Sequence, residues 1–138
     1  MEPERTTPDP VVCIVDDDGS VRKALSRLIE SLGWRSETFA SPEEFLGRTV
    51  DDEIACLLLD IQLPGMDGFE LRDRTVAAGL DSPVIFITAH PDARTRERAA
   101  AAEAVAYLEK PFDDQALLDA LEIALDRIVH PERRPDRR

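Results

Sequence analysis

Apolar residues follow two different spacings along the chain. Short apolar runs at 11–15, 54–59, 84–88 and 105–109 are typical of buried strands, and a weaker run with alternating polarity spans 35–39. Between the runs, apolar residues recur every three or four positions, which predicts amphipathic helices. This alternation predicts an α/β fold, a doubly wound parallel sheet with helices on both faces.

The order of the elements follows from local signals. Gly33 is a helix-ending residue after the first apolar face. Ser41, Pro42 and Glu44 match a helix start. The run 54–59 is the most apolar and is expected at the centre of the sheet, whereas 35–39 is expected at an edge. The remaining helices are predicted over 67–78, 91–103 and 113–129.

Composition limits the class of protein. The chain has 138 residues, 43% hydrophobic and 33% charged, which is enough for one domain with one core. It has no apolar run near the roughly 20 residues that span a bilayer, and its start is acidic and proline-rich, unlike a signal peptide. We therefore expect a cytoplasmic location, with a flexible segment 1–9, a domain 10–129 and a basic tail 130–138.

The charge argues against one class of partner. The formal net charge is −12, so the chain is expected to repel phosphate backbones and not to bind nucleic acid directly. The basic tail is interpreted as a solvated end, with contact to an acidic partner as the alternative. Cys13 and Cys56 lie in predicted neighbouring strands. Buried thiols are the favoured interpretation, and a redox pair is the alternative.

Polar side chains stand at the carboxyl ends of the predicted strands, the edge where doubly wound sheets bind ligands. They are Asp16 and Asp17 after the first strand, Asp60 after the third, Thr88 after the fourth and Lys110 after the fifth. Clustered carboxylates must protonate or share a cation, and oxygen ligands suit Mg²⁺ or Mn²⁺. A carboxylate can also accept a phosphoryl group covalently, with the metal and a lysine offsetting its charge.

Each residue also has an ordinary interpretation when it is taken alone. Asp18, next to the first pair, is favoured as a helix cap. Asp60 could simply end a strand, Thr88 is a common strand residue, and most lysines such as Lys110 are exposed. Their occurrence together, at successive strand ends, favours a phosphoryl-transfer site.

Over about residues 10–129, the chain resembles the receiver domains of bacterial two-component response regulators. The matching segments read VDDD at 15–18, LDIQLPGMDG at 59–68, ITAH at 87–90 and YLEKPF at 107–112. Their wording is most similar to regulators of the nitrogen-fixation type, in which a helix-turn-helix output domain usually follows. The resemblance implies a flavodoxin-like sheet of strand order 2-1-3-4-5 with five helices.

The resemblance also implies a mechanism. Asp60 would accept a phosphoryl group from a histidine kinase or phosphotransfer protein. Asp17, Asp60 and the Gln62 backbone carbonyl would bind Mg²⁺, with Asp16 acting through water. The domain would have no enzymatic activity beyond its own phosphotransfer and autodephosphorylation.

The same resemblance implies how the signal leaves the site. Thr88 and Lys110 would contact the phosphoryl group, Tyr107 would swing inward as Thr88 moves, and a downstream protein would bind one of the two states. Gln62 and His90 would tune the lifetime of the phosphate. The Lys110–Pro111 bond would be cis.

Some features depart from the family pattern. Glu103 stands where a glycine often ends the fourth helix, so we expect that end to be rearranged. The same helix has polar residues at 94–97 and alanines at 99–102, which predicts loose packing and weakens the case for a homodimer through helix four, strand five and helix five.

Two other functions remain open from the sequence. One is a Mg²⁺-dependent phosphatase or phosphotransferase, although the sequence contains no inserted cap and its nucleophile candidate lies on the third strand. The other is a degenerate receiver that serves only as a docking module.

Overall fold

The computed structural model describes residues 11–48 and 54–129, so the predicted segments 1–9 and 130–138 lie outside the described residues. Strands and helices alternate in the order β1 (Val11–Val15), α1 (Gly19–Ser31), β2 (Arg35–Phe39), α2 (Pro42–Leu46), β3 (Ile54–Asp60), α3 (Gly68–Ala77), β4 (Val84–Thr88), α4 (Ala93–Ala101), β5 (Ala106–Glu109) and α5 (Asp114–Val129). None of the helices described is long and apolar enough to cross a bilayer.

The five strands form one parallel sheet in the order β2-β1-β3-β4-β5, which confirms the predicted fold. β1, β3 and β4 are buried along their whole length, whereas β2 lies at an edge and is partly exposed. In the sheet register Val15 lies beside Leu59, and Thr88 lies beside Glu109. The carboxyl ends of the strands are therefore level, and the residues that follow them face a common space.

Alternate strand residues point into two separate cores. Leu57 and Leu59 of β3 pack with residues of α2, α3 and α4, whereas Leu58 packs with residues of α1 and α5. Cys13 belongs to the first core and Cys56 to the second. The two cysteines therefore lie on opposite faces of the sheet, which rules out the redox pair between them.

Helix ends explain the small differences from the predicted bounds. The backbone N–H groups of Gly33 and Trp34 donate to the Glu30 and Ile29 carbonyls, and Gly33 has φ 86°, as expected for a glycine-ended helix. α4 begins at residue 93 instead of 91 because Asp92 is extended and its carboxylate accepts the Thr95 N–H at 2.8 Å.

The expected rearrangement at the end of α4 is wrong. Glu103 adopts φ 57°, the left-handed conformation that usually favours glycine. The N–H groups of Glu103 and Ala104 donate to the Ala100 and Ala99 carbonyls, the same pair of bonds that closes α1. The closing hydrogen bonds therefore hold Glu103 in a conformation that costs a non-glycine residue about 1–2 kcal/mol.

α4 is anchored mainly through polar contacts. Ala99 is its one buried residue, and the Arg98 guanidinium lies 4.2 Å from the centre of the Phe69 ring. Among the α5 side chains that the structure describes, in contrast, two leucines and two alanines are buried, namely Leu117, Ala120, Leu121 and Ala124. Since apolar burial scales with area, α4 contributes less packing energy than α5.

We expect the amides of α4 to exchange with solvent deuterium about tenfold faster, or more, than those in the middle of α5, because local opening of α4 exposes little apolar surface. Hydrogen–deuterium exchange resolved to single residues measures this, with α1 as an internal reference. Equal protection of α4 and α5 would contradict the view that α4 is loosely packed.

Candidate functional site

Three carboxylates meet where the central strands end. Asp60 is the last residue of β3, and Asp16 follows β1 directly, with Asp17 next to it. One oxygen from each of the three lies within 4.8 Å of the others. Asp16 and Asp60 are buried and Asp17 is exposed. The sheet thus assembles residues that are 44 positions apart in the chain.

Lys110 is the cation of this cluster. Its ammonium donates to Asp16 Oδ2 at 2.8 Å and to Asp60 Oδ2 at 3.2 Å. The lysine follows β5, where its backbone N–H donates to the Thr88 carbonyl at 2.7 Å. The Lys110–Pro111 peptide bond is cis, the geometry that the resemblance implies. The lysine that follows β5 therefore contacts the acids at the ends of β1 and β3, with β4 lying between β3 and β5.

Asp16 is fixed by several contacts. Its Oδ1 accepts the Asp18 N–H at 2.9 Å while its Oδ2 faces Lys110. Its backbone carbonyl accepts a hydrogen bond from the Arg22 guanidinium at 2.7 Å, a contact that the sequence did not predict. Asp18 caps α1 by accepting the Ser20 N–H, in agreement with the favoured interpretation. The loop after β1 is thereby held against the site.

Burial and mutual repulsion disfavour the ionisation of both buried carboxylates at once. Burial, followed by the nearby negative charge of Asp16, raises the pKa of Asp60 to about 6, although Lys110 and the Gln62 N–H act in the opposite direction. Burial disfavours the charged form of Lys110, but the hydrogen bonds and charges of Asp16 and Asp60 outweigh it and raise the pKa of Lys110 above its ordinary value. The site therefore has excess negative charge that a further cation would relieve.

The donor set suits a hard divalent cation. Three carboxylate groups within bonding reach of a shared point supply oxygen ligands only, which is the preference of Mg²⁺ and Mn²⁺. Asp17 is exposed and Asp60 accepts the Gln62 N–H through Oδ1 at 3.0 Å. Asp16 and Asp60 each have hydrogen bonds at both carboxylate oxygens, so the exposed Asp17 is the most accessible of the three as a direct metal ligand.

The predicted switch residues occupy a second group of contacts. The Thr88 hydroxyl donates to the Gln62 side-chain oxygen at 2.8 Å and accepts the His90 N–H at 2.9 Å. The Tyr107 hydroxyl lies 2.6 Å from the Thr95 hydroxyl, and its ring is partly buried. The side chain of His90 is exposed. Thr88 is thus bonded to Gln62, a contact that the spacing of the sequence did not reveal.

Gly68 positions the backbone of Asp60. A methyl group at Gly68 would lie 2.5 Å from the Asp60 carbonyl oxygen, closer than van der Waals contact permits. The Gly68 N–H also donates to the Ile61 carbonyl at 3.0 Å. α3 can therefore begin directly beneath the end of β3. In the sequence, the glycine after a proline- and glycine-containing loop was the only signal, and it did not distinguish this close approach from an ordinary turn.

Comparison with known proteins agrees with this arrangement. Residues 12–122 match the family model for the response regulator receiver domain. The chain belongs to the response regulator receiver family. Receivers take part in two-component signalling, in which histidine kinases phosphorylate response regulators, and they bind Mg²⁺ in an acidic pocket. The family resemblance and the fold expected from the sequence are both confirmed.

Named relatives give the extent of the similarity. The chain is 40% identical over 117 residues to nodulation protein W of Bradyrhizobium diazoefficiens, covering 85% of this chain and 52% of that protein. It is 35% identical over 127 residues to the transcriptional regulatory protein FixJ of Azorhizobium caulinodans, covering 92% and 60% respectively. The chain thus spans about half the length of the curated relatives that it matches.

A solved structure gives the same result for the fold. The structure of the response regulator StyR superposes with a TM-score of 0.79 at 44% identity, over 91% of this chain and 63% of that one. The structural similarity therefore extends over most of this chain.

Gly68→Ala is expected to lower the free energy of unfolding by about 1–3 kcal/mol, because the added methyl group must displace backbone instead of a flexible side chain. Urea denaturation measures the loss. Gly65→Ala is a useful comparison, since its methyl group would meet no atom within 4 Å and its cost would come from the positive φ of 82°. A greater loss for Gly65→Ala than for Gly68→Ala would contradict the importance of close approach.

Asp60→Asn is expected to stabilise the metal-free protein near pH 7 by about 1–3 kcal/mol, since the pKa of Asp60 is raised to about 6 by folding. Between about pH 4 and pH 6 the native state holds more protons at Asp60 than the unfolded state, so ionisation destabilises the fold as the pH rises. The gain should therefore shrink as the pH falls from about 6 to about 4 and be absent below that range. Urea denaturation in the presence of a chelator tests it, and a variant less stable than wild type near pH 7 would contradict it.

Proposed function

We propose that this domain accepts a phosphoryl group on Asp60 from a histidine kinase or phosphotransfer protein and then controls a partner protein by changing shape. The observation that carries the proposal is the placement of Lys110, whose ammonium contacts the buried Asp60 carboxylate and its neighbour Asp16 together. A nucleophilic carboxylate beside a fixed cation is the arrangement that phosphoryl transfer requires.

The chemistry divides among the residues of the site. An Asp60 oxygen forms a bond to phosphorus while the bond from phosphorus to the donor's imidazole nitrogen breaks, and the imidazole leaves with that electron pair. Lys110 offsets charge on the phosphoryl oxygens. Mg²⁺ or Mn²⁺ would be held by Asp17, Asp60 and the Gln62 backbone carbonyl, with Asp16 in support, and would supply further charge neutralisation.

The conformational part of the proposal involves Thr88 and Tyr107. The Thr88 hydroxyl moves to a phosphoryl oxygen, and Tyr107 turns into the space that Thr88 leaves. The partner protein binds one of the two states better, and this difference in affinity shifts the equilibrium. The exposed Gln62 and His90, two residues beyond Asp60 and Thr88, tune the lifetime of the phosphate. Apart from its own phosphotransfer and dephosphorylation, the domain turns over no substrate.

The location and the surface charge of the domain bear on the partners that it can meet. A cytoplasmic location suits exchange with a kinase, and the acidic surface disfavours direct contact with nucleic acid. A homodimer through α4, β5 and α5 would form on a charged face, where Arg96 pairs with Glu109 and lies 5.2 Å from the centre of the Tyr107 ring. Association there would depend on ionic strength.

Asp60→Asn is expected to abolish labelling by a small acyl phosphate in the presence of Mg²⁺, because the amide cannot form an acyl phosphate. Intact-protein mass spectrometry detects the added phosphoryl group. Asp18→Asn is the matched control: Asn also caps helices, and Asp18 lies beside the site without contacting Lys110 in the described contacts. Equal labelling of wild type and Asp60→Asn would overturn the assignment of Asp60.

A further inference from the structure

The Thr88 hydroxyl has one proton, which it donates to the Gln62 side chain. Thr88 Oγ1 donates to Gln62 Oε1 at 2.8 Å and accepts the His90 N–H at 2.9 Å. A hydroxyl donates a single hydrogen bond at a time. Thr88 therefore cannot donate to a phosphoryl oxygen on Asp60 until it has released the Gln62 side chain.

Gln62 lies where its side chain can compete with a phosphoryl group on Asp60 for the Thr88 hydroxyl proton. It follows Asp60 by two residues, and its backbone N–H donates to Asp60 Oδ1 at 3.0 Å. Its side chain is exposed, whereas Thr88 is fully buried. The Gln62 amide can thus move into water at small cost, and the same residue contacts both the proposed phosphoacceptor and the hydroxyl that the phosphoryl group must attract.

We propose that Gln62 is a positioning residue: its side chain holds the Thr88 hydroxyl in the unphosphorylated state and opposes the uptake of the phosphoryl group. The inference rests on the proposed function of Asp60 and Thr88. It differs from tuning of phosphate lifetime, since it concerns the free-energy difference between the two states and not the rate at which water attacks. Releasing the bond makes the phosphorylated arrangement easier to reach.

Gln62→Met tests the inference because methionine keeps the length of the side chain and removes its acceptor. The probe is beryllofluoride with Mg²⁺, a phosphoryl analogue that is not hydrolysed. We expect Gln62→Met to bind it about threefold to tenfold more tightly than wild type, the size expected for one neutral hydrogen bond. Isothermal titration calorimetry measures the affinity. Gln62→Asn, whose amide is one methylene short of Thr88, is expected to behave like Gln62→Met.

A double-mutant cycle shows whether the effect passes through Thr88. Thr88→Val removes the hydroxyl at nearly constant shape, so Gln62→Met should leave the affinity of that variant unchanged. Gln115→Met is the control for loss of an exposed glutamine elsewhere, since Gln115 bonds only to Asp119 among the described contacts of its side chain. It should bind as wild type does.

The His90 amide supplies a second readout that a purely structural role would not move. Its N–H donates to Thr88 Oγ1, so its nuclear magnetic resonance shift reports the position of that hydroxyl. In the absence of beryllofluoride, Gln62→Met should move the resonance part of the way toward its bound position.

The outcomes separate this inference from the proposed function. If wild type binds beryllofluoride, Asp60→Asn does not, and Gln62→Met binds no more tightly than wild type, the positioning role is overturned while the function of Asp60 stands. A gain in affinity that persists in Thr88→Val also overturns it, because the gain then bypasses Thr88. If wild type and Asp60→Asn bind alike, the proposed function itself fails.

Discussion

The contact between one lysine and two buried acids organises the carboxyl edge of the sheet. Lys110 joins Asp16 after β1 to Asp60 at the end of β3, although the lysine itself follows β5. Two carboxylates this close would repel one another strongly away from water, and the ammonium makes their burial tolerable. The raised pKa of Asp60 shows that the compensation is incomplete. Under the proposed function, a divalent cation would offset the remaining negative charge.

Much of this arrangement could be predicted from the sequence, because the strongest signals are local. The apolar runs identified β1, β3 and β4, and the polar residue after each strand had to lie at one edge once the sheet was parallel. The clearance beneath Gly68 depends on how the loop after Asp60 folds back, and the hydrogen bond from Thr88 to Gln62 joins two different strand ends. No periodicity encodes such distances. Helix ends were misplaced by a few residues where an extended capping residue such as Asp92 resembled part of the helix.

The end of α4 shows how a local preference is overruled. A glutamate in the left-handed region is unfavourable by itself, yet Glu103 occupies that region while the chain makes the hydrogen bonds that close a helix. The residue preference of glutamate alone therefore predicts a rearranged end of α4, which the structure does not have. The cost is tolerated because the following residues enter β5, whose place beside β4 is fixed by the sheet. Tertiary structure therefore determines the backbone conformation of Glu103, even though α4 itself buries little apolar surface.

The Tyr107 hydroxyl contacts the capping residues at the N-terminus of α4. Thr95, to which it is bonded, completes the capping box of α4 with Asp92, whose own N–H lies 3.3 Å from the tyrosine oxygen. α4 has nine residues, so it is too short to be stable by itself and depends on how readily its first turn nucleates. Displacement of the phenol would therefore act directly on that first turn. Under the proposed function, a signal through Tyr107 would reach the surface as a change in the helix–coil equilibrium of α4, which a partner protein would sense as order gained or lost.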